Sequence, residues 1–140
     1  MEVYYAHMRC VYGTEEERLQ KSQIAASFPG WGIVDPSLLQ GGTSMDYYLN
    51  LAKGCDALVF TRVDGEIGAG VGKEVNTLIA EGKPAYELLA DGSLERVAEP
   101  VTYLNITDTL ALLKRHDFNV SDAEHQHIDE LDSKERLATK

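Results

Sequence analysis

The sequence predicts a doubly wound α/β fold, with a sheet of about five mostly parallel strands and helices on both faces. Short apolar or β-branched runs alternate along the chain with longer segments of helical periodicity. The run ALVF at 57–60 is apolar without alternation, which is typical of a strand covered on both faces. The length of 140 residues fits one domain of this kind.

The first half of the chain contains three predicted strands and two predicted helices. The strands are EVYYAHM, then GIVDP, which Pro36 ends, and then DALVFTRV. Thr14 and Glu17 have the spacing of a capping box and begin the first helix, TEEERLQKSQIAASF. The second helix, SMDYYLNLA, is followed by Gly54, a residue type that commonly ends helices.

The second half predicts two more helices and the rest of the sheet. A helix at 71–81 is closed by Gly82 and Pro84, and PAYELLA is the fourth strand. The Asp91–Gly92 turn predicts that SLERV returns as a short hairpin arm. We expect a fifth strand at 101–104 and a helix in DTLALLKRH. Residues 1–118 then form the α/β domain, and residues 119–140 a polar helix or tail.

The net charge and hydropathy of the chain limit the classes of molecule that the protein is expected to bind. The formal net charge of −10 argues against a surface that neutralises a nucleic-acid polymer, whereas a small anion can still bind in a locally positive pocket. No apolar run reaches the ~20 residues of a membrane helix, so we expect no membrane partner. The N-terminus carries an acid where a signal peptide carries bases, which predicts a cytoplasmic protein.

The segment GEIGAGVGKEV at 65–75 is the most unusual in the chain. It fails the Walker pattern, because Ile67 replaces the first glycine and Glu74 replaces the Ser/Thr that follows the lysine. It also fails the dinucleotide pattern GxGxxG, since Lys73 takes the place of the last glycine. The segment is better interpreted as a glycine loop that presents Glu74 at a helix start, where the helix dipole favours an ionised carboxylate. Alternatively, Glu74 is only a favourable helix-start residue.

Four motifs carry a family resemblance: VYYA, GCDALVF, GAGVGKEV and AEGKP, in this order within residues 2–86. Together they resemble the nucleoside 2-deoxyribosyltransferase-like family, including its deoxynucleoside 5′-monophosphate N-glycosidase branch. The resemblance implies a flavodoxin/Rossmann-like fold and a retaining double displacement on a nucleoside or nucleoside 5′-monophosphate, by hydrolysis or deoxyribosyl transfer. It implies no metal ion or redox cofactor, and a homodimer or higher homo-oligomer.

The resemblance also assigns roles to residues of this chain. Glu74 is the implied nucleophile, Tyr4 steadies it, and Gly70 and Gly72 shape its loop. Tyr48 stands where the family usually has an aspartate, so we take Asp46 as the candidate general acid, ahead of His7. The residues expected to contact the substrate are His7, Arg9, Tyr48, Gly68, Gly70, Gly72 and Lys73, with Arg9 and Lys73 placed to bind a 5′-phosphate.

Two other functions remain open at this point. Gly68 occupies a position where many family members carry an aspartate, which favours an inactive module that binds or sequesters nucleotides. The third hypothesis is that the chain is a flavodoxin-like interaction protein without a small-molecule site. It leaves the concentration of glycines unexplained, because glycine loses more conformational entropy on folding than any other residue.

Overall fold

A computed structural model describes residues 1–39 and 44–118 of the chain. These residues form a sheet with four helices. In chain order the elements are β1 (Glu2–Ala6), α1 (Glu15–Ser27), β2 (Gly32–Val34), α2 (Met45–Lys53), β3 (Ala57–Phe60), α3 (Ala69–Ala80), β4 (Ala85–Leu88), β5 (Leu94–Val97) and α4 (Ile106–Arg115). Short 3-10 turns lie at Arg9–Val11 and Pro36–Leu38.

The sheet has five strands in the order β2-β1-β3-β4-β5. The first four strands in this order are parallel, and β5 pairs antiparallel with β4. This architecture confirms the predicted α/β fold with a mostly parallel, doubly wound sheet. In the register of the sheet, Tyr4 of the central strand β1 lies opposite Val34 of β2 and Leu58 of β3.

The two faces of the sheet are covered by different helices. Ile24 of α1 packs on the face that carries Val3 and Tyr5, together with alternate residues of β3. Helices α2, α3 and α4 cover the other face, which carries Tyr4 and Ala6. Neighbouring side chains in a strand point to opposite faces, so covering both faces requires an unbroken apolar run in β3.

The starts of three helices are fixed by short local contacts, and α4 begins at Ile106, before the predicted start at Asp108. Thr14 Oγ1 accepts the N–H of Glu17 at 3.2 Å, as the capping box predicts. Ser44 Oγ accepts the N–H of Tyr47 at 3.2 Å, and Asn105 Oδ1 accepts the N–H of Asp108 at 2.7 Å. Each contact satisfies a backbone donor that the first turn of a helix leaves free.

The predicted strand at 101–104 is wrong, because the backbone of this segment bonds to α3 and to the segment before α3. Val101 N–H donates to Asn76 Oδ1 at 2.7 Å, and the amide of Asn76 donates back to Val101 O at 3.0 Å. Leu104 N–H donates to Ile67 O at 2.9 Å. The fifth strand is instead the hairpin arm Leu94–Val97, which confirms the prediction for SLERV.

Helix α3 begins at Ala69, earlier than the predicted start at 71, so Gly70 and Gly72 lie in the helix and not in a loop. Gly72 lies directly under the ring of Tyr103. A Cβ atom at position 72 would lie 2.2 Å from Tyr103 Cγ and 2.4 Å from Tyr103 Cβ. The glycine therefore permits a close approach between α3 and the segment that follows β5.

Two further expectations concern membrane-spanning helices and the C-terminal segment. Within residues 1–39 and 44–118, no helix is long and apolar enough to cross a bilayer. The polar helix or tail expected at 119–140 lies outside the described residues.

We predict that Gly72→Ala destabilises the protein by about 1–3 kcal/mol, because Tyr103 must move away from the new methyl group. Gly70→Ala is the matched control in the same helix, since a Cβ there meets only Met45 Sδ, at 3.8 Å. Helix propensity favours alanine at that site by up to about 1 kcal/mol. Urea unfolding of both variants measures the difference, and equal stabilities would contradict this account of Gly72.

Candidate functional site

The candidate site lies at the carboxyl ends of the parallel strands. From β1 the chain first passes to β2 on one side, and then crosses to β3 on the other side of β1. In such sheets, small molecules bind in the crevice where the strand order reverses, here between the ends of β1 and β3. Residues 7–14 and 61–68 follow β1 and β3 at this edge of the sheet.

Glu74 and Tyr4 meet beside this crevice. Tyr4 lies on the face of β1 that α3 covers, and its hydroxyl donates a hydrogen bond to Glu74 Oε2. Tyr4 is fully buried and Glu74 is 6% exposed. The structure therefore brings together the two residues to which the sequence assigned the nucleophile and its support. Within residues 1–39 and 44–118, the hydrogen bond from Tyr4 engages Oε2 and not the other carboxylate oxygen, Oε1.

Burial raises the pKa of Glu74 to about 8, and the hydrogen bond from Tyr4 acts in the opposite direction. The expectation of an ionised carboxylate is wrong, because Glu74 is buried. Because α3 begins at Ala69, Glu74 lies in the second turn, beyond the part of the helix where the dipole is strongest. Desolvation then dominates, and the carboxyl group is mostly protonated at pH 7.

Two further tyrosines belong to the surroundings of Glu74. Burial raises the pKa of Tyr12, and the charge of Glu74 raises it further. Burial and the neighbouring Glu74 also raise the pKa of Tyr4, so both phenols stay protonated, and the Tyr4 hydroxyl donates to Glu74. Tyr48 is half-buried in α2, and its hydroxyl donates to Leu39 O at 3.3 Å.

Tyr12 was missed as a site residue, although it lies in the loop after β1 that the topology singles out. No motif marks it. Its place beside Glu74 depends on how the Arg9–Val11 turn folds back, and this turn has no signature in the sequence. An aromatic residue in the loop after the central strand was the only available signal.

Gly68 before α3 and Gly72 within it serve close packing inside the protein, whereas Gly70 does not. A Cβ at Gly68 would lie 3.1 Å from the side chain of Met8, so the segments after β1 and β3 touch at this point. Gly68 offers no side chain to cap α3, and Thr109 Oγ1 instead accepts the N–H of Ala69 at 2.9 Å. One of the free donors at the start of α3 is therefore already used by α4.

Asp46, the candidate general acid, lies at the protein surface near the start of α2. It is exposed in the first turn of α2, next to Met45, which approaches Gly70 of α3. The beginnings of α2 and α3 are therefore neighbours. The side chain of Asp46 points to a less buried environment than that of Glu74.

Among the described residues, no hydrogen bond joins His7 to Glu74, although Tyr12 contacts the His7 ring with centroids 4.7 Å apart. His7 stacks on Tyr5 with ring centroids 3.6 Å apart, and its Nε2 lies 2.6 Å from Glu17 Oε2 of α1. It therefore belongs to the α1 face of the sheet, whereas Glu74 lies on the α3 face. Of the two basic candidates, Arg9 lies over the ring of Phe118 at 5.6 Å, and Lys73 is half-buried beside Glu74 in sequence.

A comparison of the chain with protein-family models, with curated proteins and with solved structures found no match.

We predict that the free energy of unfolding decreases between pH 4.5 and about 8 through Glu74. The unfolded chain loses the Glu74 proton near its ordinary pKa of 4.5, while the folded protein keeps it up to about 8. Stability from this group is thus complete at low pH and falls by up to about 1.4 kcal/mol per pH unit within this window.

Glu74→Gln removes this contribution and keeps an acceptor for the Tyr4 hydroxyl. Urea unfolding at several pH values should give a wild-type profile that falls more steeply than that of the variant. Glu81→Gln, an exposed carboxylate at the end of the same helix, controls for the change in net charge. Parallel profiles for wild type and Glu74→Gln would show that Glu74 ionises normally.

Proposed function

We propose that this protein cleaves the N-glycosidic bond of deoxynucleosides or their 5′-monophosphates, with Glu74 as the nucleophile. The observation that carries the proposal is the buried Glu74 carboxyl, held by the Tyr4 hydroxyl beside the crevice between β1 and β3. The resemblance of VYYA, GCDALVF, GAGVGKEV and AEGKP to the deoxyribosyltransferase-like family supports the same chemistry.

The proposed reaction has two displacements at one carbon atom. Glu74 Oε1 attacks C1′ of the deoxyribosyl group, the C1′–N bond breaks, and its electron pair leaves with the base, which takes up a proton. Water, or a second base, then attacks C1′ and gives up a proton while the bond to Glu74 breaks. The carboxylate is regenerated, and two inversions retain the configuration.

Tyr4 has two roles in this scheme. By holding Oε2 it orients the carboxyl, so that Oε1 is directed to the substrate. Its hydrogen bond also lowers the pKa of Glu74 against the effect of burial. This matters because only the ionised carboxylate attacks, and with a pKa of about 8 about one tenth of the molecules carry it at pH 7.

We assign the proton donor and the phosphate contacts by where these side chains lie in the fold. Asp46, at the rim formed by α2 and α3, is the candidate proton donor to the leaving base, and His7 is less suitable because it lies on the α1 face. Arg9 and Lys73 are the candidate contacts for a 5′-phosphate. The expected partner is a small-molecule nucleoside or nucleotide, bound to a homodimer or higher homo-oligomer in which the exposed Tyr47 ring contributes to the interface.

The second candidate is a module that binds a nucleoside or nucleotide without turning it over. Two observations favour it. A Glu74 carboxyl that is protonated at neutral pH is a hydrogen-bonding group and not a nucleophile. In addition, Asp46, the candidate proton donor, is exposed in the first turn of α2, whereas Glu74 is buried.

We expect base release from at least one member of a panel of deoxynucleosides and their 5′-monophosphates, measured by chromatography. Glu74→Gln should reduce the rate by at least about 1000-fold, because it removes the attacking group. Glu81→Gln, on the same helix but outside the crevice, should retain the wild-type rate. Thermal-shift binding without turnover would select the binding module, and neither binding nor turnover would select the interaction protein.

The pH profile provides an independent prediction. If ionised Glu74 is the nucleophile, kcat/KM rises about tenfold per pH unit and levels off near pH 8, where the carboxyl group titrates. Tyr4→Phe should move this inflection to higher pH, since the hydrogen bond that lowers the pKa is lost. A profile without a rise between pH 6 and 8 would exclude Glu74 as the titrating nucleophile.

A further inference from the structure

A second polar cluster lies on the α1 face of the sheet, away from Glu74. It consists of His7 after β1, Glu17 of α1 and Asp35 after β2, which are 3%, 6% and 3% exposed. We call these three residues the His7 cluster. Three titratable side chains so deeply buried need charged or hydrogen-bonding partners.

The donor atoms of the His7 cluster converge on one point. His7 Nε2 lies 2.6 Å from Glu17 Oε2 and 3.8 Å from Asp35 Oδ1. One such atom from each residue lies within 4.8 Å of the other two. A nitrogen and two carboxylate oxygens at this separation are ligands that a divalent transition-metal ion accepts.

Hydrogen bonds to neighbouring backbone groups fix the orientation of the His7 and Glu17 side chains. His7 Nδ1 lies 3.0 Å from Tyr5 O, and since a carbonyl only accepts, Nδ1 carries the proton and Nε2 is directed at the two carboxylates. Glu17 Oε1 accepts the N–H of Gly13 at 3.2 Å. Metal-binding histidines commonly donate their second ring nitrogen to a carbonyl in this way.

Asp35 is held in the same manner. Its Oδ1 accepts the N–H of Ser37 at 2.8 Å, and Lys21 Nζ lies 2.7 Å from its Oδ2. The ammonium group of Lys21 thus compensates charge on the oxygen that faces away from His7. Burial raises the pKa of Asp35, but the contacts with Lys21 and Ser37 act against it and leave this pKa below its usual value.

An independent observation at the same edge of the sheet is the hydroxyl of Thr61. Thr61 is 3% exposed, and its Oγ1 makes no hydrogen bond within residues 1–39 and 44–118. Thr61 N–H donates to Ala6 O at 3.2 Å, which continues the register of β1 and β3 and places Thr61 opposite His7. A buried hydroxyl without a partner costs about 1–3 kcal/mol, so a bound ion or its water ligand would relieve this cost.

We propose that His7, Glu17 and Asp35 form a binding site for a divalent first-row transition-metal ion, for which Zn²⁺ is the best match to one imidazole and two carboxylates. Ligands of one such ion lie about 3.0–3.5 Å apart. Glu17 has to move back by a few tenths of an ångström and Asp35 has to move forward by a similar distance.

Binding of the ion replaces the hydrogen bond between His7 Nε2 and Glu17 Oε2. Both atoms then contact the ion, together with a carboxylate oxygen of Asp35. The bound ion joins β1, α1 and the segment after β2, so it stabilises the folded protein in proportion to its affinity.

The test uses the full chain carrying His125→Gln and His127→Gln, which removes two of the four histidines and with them adventitious binding by that segment. Calorimetry with Zn²⁺ should give one ion bound per chain. Zn²⁺ at about a hundredfold excess over the dissociation constant should raise Tm by about 5 °C or more.

Glu17→Gln in this background keeps the size of the side chain and removes a charged ligand, and it should abolish the Zn²⁺ effect on Tm. His116→Gln is the matched control, because His116 forms an exposed pair with Asp64 at 2.7 Å and should leave the effect unchanged. No Zn²⁺ binding by the background chain, or binding lost with His116→Gln and kept with Glu17→Gln, would overturn the proposal.

A readout without a substitution in the His7 cluster covers the case in which Glu17→Gln does not fold. Co²⁺ added to the background chain should shift or broaden the ring resonances of His7 and Tyr5, and leave those of His116 unchanged. Changes confined to His116 would overturn the proposal. Because the measurement does not involve Glu74, its outcome is independent of the N-glycosidase activity.

Discussion

A buried carboxyl group and a phenol hydroxyl meet between the sheet and α3, and this contact determines what the Glu74 site can do. One hydrogen bond from Tyr4 does not replace the solvation that a carboxylate loses on burial, so the neutral form is favoured. A ligand that supplies a second donor, or a positive charge, would shift the balance to the ionised form. The chemistry of the site is therefore coupled to what binds beside it.

The position of this contact depends on how closely α3 packs against its neighbours. Gly72 allows Tyr103 to lie against the helix, and Asn76 fixes the same segment through paired hydrogen bonds with Val101. Thr109 caps the start of the helix from α4. These contacts come from residues far along the chain, and together they hold the helix that carries Glu74 at a fixed depth over β1.

Local signals predicted most of the fold and only part of the site. The unbroken apolar run of β3, the capping residues Thr14 and Ser44 and the Asp91–Gly92 turn each act over a few residues, so the sequence displays them directly. The segment 101–104 has strand propensity, but its partner is the side chain of Asn76, which no local pattern reveals. The start of α3 was misplaced for a similar reason, because Thr109 provides its cap. The ionisation of Glu74 depends on burial in three dimensions, which glycine spacing does not encode.

Strand β1 serves two chemically different environments with consecutive residues. Tyr4 contacts Glu74 on one face, while Tyr5 supports His7 on the other. Insertion or deletion of a single residue within this strand would exchange the two sets of side chains and bury each against the wrong helix. The number of residues in β1 should therefore vary far less than their identity. If segments of this chain are recombined, the junctions must lie outside β1.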